Sequence, residues 1–123
     1  MAHPIGHTTA SGYGMKITVD SFGKPWVLAT NNTIWQRSTN TYASGSWAQF
    51  GTYTGKDIGG GPSTPLGNFQ VILSAMDDEI KEWSDTTLTF QSLVGYGVAV
   101  SSDNVVNGKR YAVAGNGKVF KYQ

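Results

Sequence analysis

The sequence predicts an all-β protein built from three copies of one four-stranded unit, and three observations predict it. No window carries apolar residues at i, i+3, i+4 and i+7 over the length of a helix, whereas alternation of period two recurs along the chain. Sixteen glycines against four prolines suit many tight turns between short strands. The chain also matches itself: "MKITVDS", "KDIGGGP" and "VAVSSDN" begin at residues 15, 56 and 98.

Those three segments are the first strand of each copy, with Ile17 and Val19 on one face. The second strand is clearest in "PWVLAT", where Trp26 and Leu28 share one face while Val27 and Ala29 take the other. Both faces are apolar, as in a sheet covered on both sides. Trp26, Phe69 and Tyr111 align at spacings of 43 and 42, each followed two residues later by Leu28, Val71 or Val113. The polar turns "NNT", "DDE" and "NGK" then lead to a third strand at Ile34, Ile80 and Val119. Copy two runs eleven residues from Phe69 to Ile80 where the others run eight, which predicts a three-residue insertion or bulge there. The run Gly59-Gly60-Gly61 is expected as a loop between first and second strands.

A fourth strand follows in "SWAQF" and "LTFQSL", with Trp47 and Phe90 separated by 43 residues. The third copy reaches Gln123 before any such strand. Gly12-Tyr13-Gly14, however, repeats at Gly95-Tyr96-Gly97, and the same offset of 83 sets His7 opposite Phe90 and Ala10 opposite Leu93. The expected organisation is one domain of three repeats, 15–55, 56–97 and 98–123, the last completed by a displaced strand at 5–10.

Four-stranded units of roughly 40 to 45 residues have the measure of a β-propeller blade, but a ring needs about four to eight of them. Three cannot close. A homodimer supplies six, with each N-terminal strand completing the third blade of its partner. The alternative is a monomeric β-trefoil, which also has three repeats of this length.

Composition removes several function classes. Nine Lys and Arg against eight Asp and Glu leave a net charge of +1, with no basic stripe for phosphates, so no nucleic acid partner is expected. No run reaches the roughly 18 apolar residues of a membrane span, and "MAHPIGHTTASG" lacks the features of a signal peptide. The expectation is a cytoplasmic protein, or one released without a signal peptide, that does not insert into membranes. With no cysteine there is neither a disulfide framework nor a thiolate metal site.

Repeat one resembles the tectonin-repeat β-propeller lectins. The match lies in "KITVDSFGKPWVLATNNTIWQRS" followed by "GSWAQFGTYTGKDIG": an inner strand, G-x-P-W-V, a polar turn, I-W, then G-x-W before the next inner strand. Copy two keeps "KDI" and Ile80 but has Phe69 for the tryptophan and "DDE" in the turn, and copy three keeps "YAVAGNGKVFKY". The resemblance implies a propeller that binds carbohydrate without catalysis, including bacterial lipopolysaccharide and O-methylated surface glycans, for recognition of or defence against microbes. The family's usual chain carries more repeats, which is a second reason to expect a dimer.

The residue types for sugar binding are present independently of that resemblance. Apolar faces of a pyranose stack on aromatic rings while Asn, Asp, Glu and Arg bond its hydroxyls. Candidate carbohydrate-binding residues are Trp35 and Arg37, Glu82 and Trp83, all on third strands; Trp47 on a fourth strand; Tyr53 before an inner strand; and Asn31, Asn32 and Asp78 at turns. Repeated sites would give multivalent binding. The alternative from another class is a scaffold that binds protein through a propeller face.

Catalytic readings are weaker. Asp77, Asp78 and Glu79 are adjacent turn residues that point apart, whereas a glycosidase needs two carboxyls facing across a bond at about 5 to 9.5 Å. His3 and His7 have no Cys or spaced carboxylate set to complete a zinc site, so no metal and no cofactor are expected.

Overall fold

Short apolar runs punctuated by Asn, Asp and Gly fold as antiparallel strands in the computed structural model, which describes residues 14–38, 46–65, 68, 70–103 and 105–122. The first sheet has the order β1 (Lys16–Val19), β2 (Pro25–Leu28), β3 (Thr33–Arg37), β4 (Trp47–Thr54). The second repeats it with β5 (Asp57–Gly59), β6 (Gln70–Ser74), β7 (Glu79–Ser84) and β8 (Thr89–Tyr96). The third contains β9 (Ala99–Ser102), β10 (Arg110–Val113) and β11 (Val119–Tyr122). The described residues contain no helix. The strand expected at 5–10 lies outside the described residues; among the described residues the third sheet has three strands, in the order β11-β10-β9.

The three sheets share one turn in atomic detail. Ala29, Ala75 and Ala114 each donate their N–H to the carbonyl of Thr33, Glu79 or Lys118, at 2.9, 2.9 and 2.8 Å. The side chains of Asn31, Asp77 and Asn116 accept from the N–H two residues on, at 3.2, 3.0 and 3.1 Å. Asn32, Asp78 and Gly117 follow with φ of 68°, 68° and 86°, a region open to Asn, Asp and Gly. "ATNNT", "AMDDE" and "AGNGK" are therefore one turn written three ways.

A second shared device stands at the entry to each sheet. Gly14, Gly55 and Gly97 precede the first strands, and a Cβ on each would sit 3.3, 3.1 and 3.1 Å from the carbonyl oxygen of Leu28, Ser74 or Val113. Each glycine lets the chain cross close over the next second strand. The next residues, Met15, Lys56 and Val98, donate their N–H to those same three carbonyls.

This register corrects the sequence alignment in copy two. Counting back from the shared turn, Trp26 and Tyr111 correspond to Ile72, and β6 begins only at Gln70. The extra residues sit before β6, in the connection from β5, not between Phe69 and the turn. Phe69 itself lies outside the described residues. Gly59, expected in a loop, is the last residue of β5, and Gly60 and Gly61 follow buried. The first-strand alignment stands: Ile17, Ile58 and Val100 face Val27, Leu73 and Ala112 across their ladders.

Alternation then decides the packing. Trp26, Leu28 and Ile34 project from one face of the first sheet onto Ile58, Val71, Leu73, Trp83 and Phe90 of the second, with Phe50 and Tyr53 at the margin. The other face of the second sheet puts Ile72 and Ile80 against Val100 and Ala112 of the third, with Leu93 and Tyr122 beside them. Each fully buried aliphatic or aromatic side chain contributes about 1.5–3 kcal/mol. Polar ties reinforce the junctions: Lys16 pairs with Asp57, Asp57 Oδ2 accepts the Val100 N–H at 2.7 Å, and Arg110 pairs with Glu82.

Two sheet faces have no other sheet packed on them among the described residues. On the outer face of the first sheet Ile17 is 62% exposed and Val19 42%; on the outer face of the third, Val119 is 67% exposed and Tyr111 38%. Their counterparts at the internal junctions, Ile58, Ile34 and Trp26, are fully buried.

Candidate binding cleft

The outer face of the first sheet carries a cleft of about 380 Å³ lined by Val27, Ala29, Thr30, Asn31, Thr33, Trp35 and Trp47. Strand periodicity assembles it: Val27 pairs with Trp35 and Arg37 with Trp47, so both indoles and the valine point to the same side. Its volume lies within the ~300–1,000 Å³ usual for small-molecule sites.

One wall is fixed by a relay of hydrogen bonds. Trp35 Nε1 donates to Thr33 Oγ1 at 2.8 Å, and that hydroxyl donates to Asn31 Oδ1 at 2.5 Å, an oxygen that also accepts the Thr33 N–H. The indole is thereby oriented by the turn itself. The opposite wall is Trp47, whose ring lies over the Arg37 guanidinium, with the Cζ 5.5 Å from the ring centroid. Arg37 is buried, so it supports Trp47 from beneath. The result is two aromatic walls, an apolar floor at Val27 and Ala29, and a polar rim of Thr30, Asn31 and Thr33.

Of the nine sequence candidates, this cleft gathers Asn31, Trp35 and Trp47. Trp83 is 5% exposed and stands in the core between the first two sheets, against Trp26, Phe50 and Phe90. Tyr53 lies edge-on to Phe90, ring centroids 4.9 Å apart. Glu82 faces the junction with the third sheet and pairs with Arg110; burial raises its carboxyl above the ordinary value, against the opposing pull of Arg110. Asn32 donates from Nδ2 to the Gly55 carbonyl at 2.9 Å, tying its turn to the linker that follows its sheet, and Asp78 pairs with Lys56, tying its turn to the linker that precedes its sheet.

Val27, Ala29, Thr30 and Thr33 line the cleft and were not among the candidates. Their signal was present in the period-two register, which sets Val27 and Trp35 on one face. No group of three potential metal-ligating side chains occurs among the described residues, and no helix there is long and apolar enough to cross a membrane.

The equivalent positions of the second sheet do not form such a cleft. Lys81 stands where Trp35 does, and Phe90, in place of Trp47, is buried under Tyr53 and Trp83. Compared with known families and curated proteins, the chain matches no family model and no curated protein.

Proposed function

We propose that this chain is a carbohydrate-binding protein that takes a glycan in the Trp35–Trp47 cleft, as half of a six-bladed β-propeller made by two copies. The observation that carries the binding assignment is the pairing of two oriented indole faces with a rim of amide and hydroxyl groups. A pyranose needs such a surface: aromatic faces for its C–H groups, and Asn and Thr for its hydroxyls. The resemblance of repeat one to tectonin-repeat lectins points to cell-surface glycans, lipopolysaccharide and O-methylated sugars among them.

The propeller reading is supported by three sheets with one turn, one linker glycine and one face-to-face packing rule. The displaced N-terminal strand of each copy would pair with the β11 edge of its partner, closing the third blade. Binding is multivalent through the dimer, each copy bringing its Trp35–Trp47 cleft.

The three adjacent turn carboxylates favour a non-catalytic role because they are engaged in structure. Asp77 accepts from the Glu79 N–H, Asp78 pairs with Lys56, and Glu79 accepts from the Ser92 hydroxyl.

A glycan array bearing bacterial lipopolysaccharides and O-methylated sugars tests the assignment. Hits sharing one terminal residue, lost in Trp35→Ala, support it; a folded protein that binds no glycan at high concentration would move the assignment to a protein-binding scaffold.

A further inference from the structure

We infer that the outer face of the first sheet is the seat for the outer face of the third sheet of a second copy, so that the Trp35–Trp47 cleft is walled by two chains. The template is inside the molecule. Each internal junction sets the face bearing Trp26, Leu28 and Ile34, or its equivalent, against the face bearing Ile58, Leu73 and Phe90, or its equivalent. The shared turn fixes the correspondences on the two uncovered faces. Tyr111, Val113 and Val119 hold the positions of Trp26, Leu28 and Ile34; Ile17, Val27 and Trp47 hold those of Ile58, Leu73 and Phe90. The chain thus presents both halves of one more junction, with Ile17 and Val19 exposed on one and Tyr111 and Val119 on the other, and a second copy brings them together. Such a head-to-tail contact closes when the blades complete a ring, and two copies give six.

Trp26 stands 6.1 Å from Trp83, and their counterparts are Tyr111 and Arg37. Tyr111 of the second copy is therefore delivered beside Arg37 and Trp47, adding a phenol to the wall of the cleft. This last step rests on the carbohydrate reading; the docking itself does not.

The test uses the full chain and the mass in solution. Wild type should have twice the single-chain mass of 13.2 kDa, while Ile17→Asp and Val119→Asp, both at exposed positions, should each run as single chains with unchanged far-UV circular dichroism. Mixing the two variants should restore the two-chain mass, because one junction of the pair is then wild type. A monomeric wild type, variants that keep the two-chain mass, or a mixture that stays monomeric would each overturn the docking. Tyr111→Ala should retain the two-chain mass and lose at least tenfold in affinity for the array hits; unchanged affinity in a confirmed dimer would overturn the shared wall alone.

Discussion

Trp26 of the first sheet and Trp83 of the second meet with ring centroids 6.1 Å apart and planes inclined at 60°, while the Trp26 indole N–H is held at 3.0 Å by Asp20 Oδ2. Asp20 is fully buried, and its other oxygen accepts the backbone N–H groups of Phe22 and Lys24 at 2.9 and 3.0 Å. One carboxylate therefore shapes the β1–β2 loop and positions the central ring of the core. Asp20→Ala leaves a buried indole donor and two loop donors without it. The expected cost is about 2–3 kcal/mol, measured as a lowered urea midpoint at unchanged slope.

The two tryptophans on successive third strands should respond differently. Trp83→Ala removes a core ring in contact with Trp26, Phe50 and Phe90 and should cost about 3–5 kcal/mol. Trp35→Ala removes a half-buried ring with one hydrogen bond and should cost about 1 kcal/mol. Thermal melts of the two variants check this, and equal losses would place Trp35 in the core instead of on a binding wall.

Gly61 marks the tightest backbone approach. A Cβ there would run into the Gln70 carbonyl, so Gly61→Ala should destabilise by about 1–3 kcal/mol or more. Gly115 is the control, since a Cβ there meets nothing within 4 Å. Gly115→Ala should stabilise by about 0.4–1 kcal/mol through the unfolded chain. Denaturation midpoints moving in opposite directions are the expected result.

The Glu82 carboxyl supplies a pH signature. Burial raises its pKa above the ordinary 4.5, so the folded state holds that proton more tightly than the unfolded chain. Its contribution to stability is complete below the ordinary value and is lost as pH rises through the raised one. The unfolding free energy of wild type relative to Glu82→Gln should increase as pH falls from about 7 to about 4. Chemical denaturation of both proteins across that range checks the sign.

Much of this architecture was legible in the sequence. The first strands at 15, 56 and 98, the polar turns and the Trp47–Phe90 equivalence follow from spacing, because a strand's side-chain period is rigid and a turn with positive φ admits few residues. The second strand of copy two misled because Phe69 offered an aromatic match to Trp26. The shared turn instead aligns Trp26 with Ile72 and moves the extra residues into the β5–β6 connection.

The site was legible only in part. Trp83 has the residue type of a sugar-binding position and lies beside Lys81 and Glu82, but a sheet packed on both sides buries apolar and polar-flanked positions alike. Charge along a strand then reports where an ion pair such as Glu82–Arg110 crosses a junction, not where water is. What separates Trp35 from Trp83 is that, among the described residues, no second sheet covers the first sheet's outer face, a fact of repeat order that no local pattern carries.

The most direct test of the carbohydrate assignment is a tryptophan-fluorescence titration of wild type and Trp35→Ala with the strongest glycan from an array. A saturable change is expected in wild type and its loss in a folded Trp35→Ala variant. A folded variant that binds the same glycan as tightly as wild type would contradict the assignment.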